Sequence, residues 1–248
     1  ICDMFNLDHE DNLPIYEAAA EKGLRQHVGG YYMCDFFADD KDFRIPPELL
    51  DRNRSIFAAG LKLIGGGSVS GRPAWMNRPY PGTDGEYGIS VCSDNLVESA
   101  VSFCRKNHCQ LSMHAMGGRA ISRMIDRACR EEKWTPEGIP YVRIEHATDP
   151  SDDSLKKAAG HGISFVTQPI FLYAESKSYL SNLGQEWTRR CYPIRHILDE
   201  GVVLGFSTDA PATFWAVPSD PFPGIKLAVT GTAADGTDCG RDQAVDAE

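Results

Sequence analysis

Short apolar runs alternate with longer amphipathic stretches through most of the chain. Residues 12–22 carry Leu13, Tyr16 and Ala20 on one face at helical spacing, and Gly23 suits the end of that helix. A strand is expected over 25–33, and the Pro pair at 46–47 opens a helix expected over 46–57. Residues 61–64 predict a short strand that carries Lys62. The Gly-rich residues 65–71 and the Pro- and Gly-rich residues 72–88 predict a long irregular loop, and such loops in compact domains are usually functional. Residues 94–107 place Leu96, Val97, Ala100, Val101 and Cys104 on the apolar side of a helix. A strand over 110–114, a helix over 120–132 and a strand over 142–146 follow. Ser151 is an N-cap for a helix running to 160, and a strand over 163–168 comes next. A helix over 192–200 stops at Gly201, before a buried strand over 202–206.

This alternation predicts an α/β fold with a parallel sheet and helices outside it, and 248 residues suit one (β/α)-barrel. Residues 1–230 read as the barrel, and 231–248 as a flexible or truncated tail rich in Gly, Ala and Asp. A hydrophobic fraction of 42% permits a large core. The net charge of −10 argues against nucleic-acid and anionic-membrane partners, which need a basic surface. No apolar run reaches the ~18 residues of a transmembrane helix. Eight Cys without a C-x-x-C pair read as reduced, mostly buried thiols of an intracellular protein, so a cytoplasmic location is expected.

Four polar residues share one placement. Lys62 lies inside LKLI, His114 ends QLSMH, His146 ends VRIEH and Asp209 follows VLGFST. In a barrel, side chains at the C-terminal strand ends converge on one mouth. Two imidazoles and a carboxylate are good ligands for Zn²⁺ or a similar divalent ion. Such an ion lowers the pKa of bound water to about 7, and a neighbouring Asp can take the proton. Taken singly, each residue also has a structural role open to it. A strand-end His can be structural, Asp209 before Ala-Pro can be a turn residue, and Lys62 can snorkel its ammonium to the surface. Arg72, Trp75, Tyr80 and Gln168, with Trp187 and Trp215, are candidates for lining a substrate pocket or for packing under the long loops. Glu145 precedes His146, faces the other side of its strand and reads as a structural partner.

The stretches GLKLIGGGSVSGRPAWMNRPY, MHAMGGRAI, RIEHATDPSDDSL, ISFVTQP and GFSTDAPATFWAVPSDPFPGI make the chain similar to the amidohydrolase superfamily. Within it, they resemble the branch of N-substituted formamide deformylase-like enzymes. The resemblance implies a (β/α)8 TIM-barrel metal-dependent hydrolase with one or two divalent ions, Zn²⁺ or another. Lys62 matches the strand-four lysine, often carboxylated to bridge two metals, and His114 and His146 match the strand-five and strand-six ligands. Asp209 matches the strand-eight aspartate that binds metal and shuttles the proton of the attacking water. Three departures stand out. The family's His-x-His pair is absent, since neither His9 nor His27 has that pattern. Gly66 and Gly118 stand where the branch commonly has acids. Ile1 aligns near the end of the family's second strand, so the barrel is expected to be incomplete, lacking strand one and the small β-sandwich, and the chain to be a fragment.

The function expected is hydrolysis of the C–N bond of a small-molecule, non-peptide amide, with Asp209 and His146 in the catalytic roles. An ester or lactone hydrolase and a catalytically inactive binding module remain alternatives. So does a metal-free enzyme using Lys62 as a Schiff-base nucleophile. A homo-oligomer is left open.

Overall fold

The structure is a computed structural model that describes residues 1–6, 12–38 and 42–246, so His9 lies outside the described residues. Its first half holds β1 (Cys2–Asn6), α1 (Leu13–Glu21), β2 (Val28–Met33), α2 (Cys34–Phe37), β3 (Ile56–Ile64), α3 (Asp94–Asn107) and β4 (Gln110–Ala115). Then come α4 (Gly118–Ala128), β5 (Val142–His146), α5 (Asp152–His161), β6 (Ser164–Thr167), α6 (Pro169–Thr188), α7 (Ile194–Asp199), β7 (Leu204–Phe206) and α8 (Phe222–Thr230). The seven strands stand in chain order in one sheet. The pairs β1–β2, β2–β3, β3–β4 and β6–β7 are parallel. Parallel neighbours cannot be joined by a tight turn, so the chain returns through helices and long segments. This is the α/β fold of the (β/α)-barrel type that the alternation predicts, with seven strands among the described residues where a closed barrel has eight.

The chain divides into two compact units. Unit one comprises residues 1–64, 92–114 and 132–143. All six residues of β2 are buried, and β3 is buried along most of its nine residues. Continuous apolar strands of this kind are the mark of a parallel sheet covered on both faces. At Gly60 a Cβ would lie 1.8 Å from the carbonyl oxygen of Gln110, so only glycine lets β3 and β4 approach here. Helix α3 starts where Ser93 accepts a hydrogen bond from Leu96 N, and it buries Val97, Ala100, Val101, Phe103 and Cys104.

The helix expected over 46–57 is reduced to a 3-10 turn at Pro47–Leu50. Asp51 Oδ1 accepts from both the backbone N and Nδ2 of Asn53, an Asx turn that diverts the chain, and Ile56 already pairs with Val28. Strand β3 is accordingly longer than the run 61–64 suggests.

Unit two comprises residues 65–91, 115–131 and 144–248. Helix α4 buries Ala120, Ile121, Met124, Ile125 and Ala128. Helix α5 has the N-cap expected from its sequence, with Ser151 Oγ accepting from Ser154 N at 3.2 Å. Two helices have no counterpart in the sequence pattern. Helix α6 is interrupted by non-helical backbone at Glu175 and Gly184, and its buried residues run round more than one face, so no clean period shows. Helix α8 is masked by Pro221, Pro223 and Gly224, although proline is compatible with a first turn. The strand expected as buried over 202–206 shrinks to Leu204–Phe206, and Phe206 is 44% exposed. It stands last in the sheet order, where one edge has no neighbouring strand among the described residues.

All eight cysteines are free thiols and six are buried. Among the described residues no helix is long and apolar enough to cross a membrane.

Replacing Gly60 by Ala should lower stability by about 2 kcal/mol or more, since the obstacle is backbone. Replacing Gly160, a helical glycine with nothing within 4 Å of its would-be Cβ, should raise stability by about 0.5–1 kcal/mol. Urea midpoints of the two variants against the parent check both signs.

Candidate functional site

In unit one, Lys62 lies within β3 at 3% exposure, and His114 is the penultimate residue of β4. Lys62 pairs in register with Ser112, and Ile64 with His114. Side chains alternate along a strand and register partners share a face, so Lys62 and His114 lie on the same face of adjacent strands. A lysine taken out of water this completely needs polar company, because an isolated buried ammonium is costly.

In unit two, His146 ends β5 at 5% exposure, with φ +73°, and Ala147 follows at φ +45°. Asp209, three residues past the end of β7, has φ +53°. Side chains other than glycine cost about 1–3 kcal/mol in such conformations, less for Asp and His than for others. The surroundings hold the turn. Thr167 Oγ1 donates to His146 O at 2.8 Å, Ala147 N to Ala115 O at 3.1 Å, and Asp149 N to Met116 O at 3.2 Å. The ring of Phe171 lies nearly parallel to that of His146, with centroids 5.9 Å apart. At Asp209, the carbonyl oxygen accepts from Ala212 N at 2.8 Å, closing a tight turn.

The four residues proposed for substrate contact all belong to unit two. Gln168 is buried, and its Nε2 donates to Ser207 Oγ at 2.8 Å, while Ser207 N donates to Thr167 O. It therefore braces the exits of β6 and β7. Arg72, at φ +68°, donates from Nε to Asn182 Oδ1 at 2.9 Å, and Asn182 Nδ2 donates to the carbonyls of Val69 and Ser70. Ser70 also donates to Glu175. These bonds fix the 65–91 loop on α6. Trp75 is half-buried, and its carbonyl accepts from Arg119 N and Ala120 N at the start of α4. Tyr80 is buried inside the loop, donates to Ala74 O and packs beside Trp187. Burial pushes its hydroxyl pKa well up.

Sequence reasoning passed over Asp149, three positions beyond His146. Burial pushes its carboxyl pKa up to about 6, against the pull of the Arg78 and Arg190 guanidiniums. Arg78 lies over the ring of Trp187, its Cζ 4.5 Å from the centroid. The available signal was the acid inside RIEHATD, next to a strand exit.

A family model described as the amidohydrolase family matches residues 5–248. The chain belongs to the amidohydrolase family. It is 24% identical over 169 residues to the putative amidohydrolase YtcJ of Bacillus subtilis (strain 168), a match covering 68% of this chain and 31% of that protein. Among solved structures, it resembles an uncharacterized metal-dependent hydrolase from Pyrococcus horikoshii, with TM-score 0.69, 24% identity and coverage of 94% of this chain and 45% of the other. A second, from Pyrococcus furiosus, has TM-score 0.66 and 24% identity, covering 87% of this chain and 42% of the other. The amidohydrolase chain thus spans about a third of its curated relative and less than half of either solved structure.

The two glycines that depart from the branch pattern differ in surroundings. A Cβ at Gly66 would make only ordinary contact with Ala120, at 3.5 Å. One at Gly118 would lie 2.2 Å from Asn77 Nδ2 and 2.9 Å from Asp149 O. Asn77 and the backbone after β5 thus fill the space that a side chain at 118 would need. Among the described residues, no group of three or more His, Cys, Asp or Glu is placed to hold a metal ion. By donor chemistry, two imidazoles and one carboxylate suit a borderline divalent cation, and a lysine joins such a set only through oxygen once carboxylated.

The raised Asp149 pKa has a sign that can be checked. Between 3.8 and about 6 the folded chain holds a proton that the unfolded chain has lost. Stability contributed by this group is therefore full below 3.8 and is lost as pH rises through about 6. The Asp149→Asn variant should gain on the parent by up to about 3 kcal/mol across that window and by no more above it. Urea unfolding of both proteins along a pH series measures the difference.

Proposed function

We propose that this amidohydrolase is a metal-dependent hydrolase that cleaves the C–N bond of a non-peptide amide. The observation that carries the reading is the backbone at His146 and Asp209. Two residues nominated as ligands from sequence hold left-handed conformations, His146 at the end of β5 and Asp209 three residues past β7, where barrel enzymes carry their chemistry. Strain kept at such places is commonly part of a mechanism. The similar protein from Pyrococcus horikoshii is described as a metal-dependent hydrolase, which supports the same reading.

Lys62, His114, His146 and Asp209 would hold the ion, zinc or another divalent metal, with Lys62 binding through oxygen once carboxylated. A bound ion supplies Lewis acidity toward the carbonyl and makes water a competent nucleophile near neutral pH. Asp209 accepts the water's proton and returns it to the leaving amine. His146, whose carbonyl accepts from Thr167 and whose ring is flanked by Phe171, would bind the ion and help place the substrate carbonyl. Arg72, Trp75, Tyr80 and Gln168 would line the substrate site, with Gln168 and Tyr80 also bracing it.

One observation favours a second reading, an inactive binding module of the same fold. The space at Gly118 is closed to the acid that the branch carries.

Elemental analysis of the purified chain and of an H114A/H146A variant separates the two. The hydrolase reading expects about one to two equivalents of a divalent metal in the parent and loss of most of it in the variant. A parent that takes up none after incubation with zinc would sink the hydrolase reading for this chain and leave the binding module.

A further inference from the structure

Five residues beyond Asp209, the chain enters an apolar segment that is left facing water. Phe214 is 80% exposed and Phe222 72%. Helix α8 buries Pro223, Gly224, Leu227 and Ala228 on one side, yet shows Phe222, Ile225 and Val229 on the other, at i, i+3 and i+7. A helix apolar on both sides is normally covered on both. The outer side forms one wall of a cavity of about 560 Å³, completed by Tyr173 and Trp215. A second cavity of about 440 Å³ adjoins it, lined by Thr213, Phe214, Trp215 and Ala216. Trp215 lines both, and the larger is an open groove. Thr213, in the lining of the smaller one, donates to Thr208 O, in the same turn as Asp209. Both are open and mostly apolar, so a flat apolar group can lie against them.

Two charged side chains reach the larger cavity. Asp220 is engaged, its Oδ1 accepting from Phe222 N at 3.0 Å. Lys226 has its Nζ 3.4 Å from the Tyr173 hydroxyl and 5.6 Å from that ring's centroid. Neither contact brings negative charge, and among the described residues Lys226 makes no salt bridge. An ammonium over an apolar groove is a recognition point for an anion carried on an apolar body.

We infer that this groove binds the arm of a carboxylate-bearing amide substrate, a flat apolar group lying against Trp215 and Phe222 with its carboxylate at the Lys226 ammonium. That the ligand is a substrate rests on the hydrolase reading. That the groove binds it does not, because binding needs neither metal nor turnover.

The test is calorimetric titration of the purified chain with two probes of one shape, phenylbutyrate and phenylbutanol. Phenylbutyrate should bind about tenfold more tightly, and the preference should shrink as salt is added. Lys226→Gln should abolish the preference by weakening the acid alone, and Lys226→Arg should keep it. Trp215→Ala should weaken both probes about tenfold. Phe222→Ser, at an exposed position, repeats that test without disturbing the core. Equal binding of the two probes, no binding up to about 10 mM, or a preference that survives Lys226→Gln would overturn the inference. So would a dimer in sedimentation equilibrium that Phe222→Asp splits while neither probe binds, since the face would then belong to a second copy. Metal analysis is run separately, so a metal-free chain that binds phenylbutyrate refutes the hydrolase reading and not the groove.

Discussion

Backbone hydrogen bonds between parallel strands hold seven strands in chain order, and each such pairing obliges the chain to leave the sheet and return before it can pair again. The consequences run through both units. Strands β2 and β3 are buried along most of their length, so polar side chains are admitted only at a few places. Lys62 is one of them, inside a strand that is otherwise hydrophobic. His114 stands one residue before the end of its strand, His146 at the end of its own, and Asp209 beyond the last strand. Close pairing also demands Gly60, because the carbonyl of Gln110 occupies the place of its side chain.

At those exits the backbone is bent into conformations that cost energy, and the neighbouring bonds decide whether it stays there. His146 and Ala147 are held by bonds to Thr167 and Ala115, and the chain beyond them by Asp149 N donating to Met116 O. None of these bonds is exceptional alone. Together they make the left-handed turn the arrangement in which backbone donors and acceptors are satisfied, and an unsatisfied buried one costs about 1–3 kcal/mol. Strain and satisfaction are therefore two sides of one local solution, which fixes where the His146 side chain starts.

The long loop at 65–91 shows how irregular backbone is kept in place. Its carbonyls are taken up by Asn182 and by the first amides of α4, and Tyr80 packs beside Trp187 of α6. Helix α6 departs from helical geometry at Glu175, the residue that accepts from Ser70 of that loop. Asp149 sits beside Arg78 of the loop and Arg190 past the end of α6, with burial and positive charge acting in opposite directions on its proton.

Much of this was legible in the chain alone. Alternating apolar runs and amphipathic stretches determined the α/β class, the helix Asp94–Asn107 and the strand Val142–His146, because hydrophobic period and capping residues are local properties. The positions of Lys62, His114, His146 and Asp209 relative to their strands were equally readable, since they depend on spacing from an apolar run. Tertiary structure decided the rest. Residues 51–57 became an Asx turn and the start of a strand because β2 offered backbone partners that no local preference reveals. Helix α6 had no readable period because it is buried on more than one side, and Asp149 had no readable role because its proton depends on burial and on Arg78 and Arg190, far away in sequence. Sequence pattern reports which face of an element avoids water; it is silent on which distant groups meet there, because that is set by long-range packing rather than by neighbours along the chain.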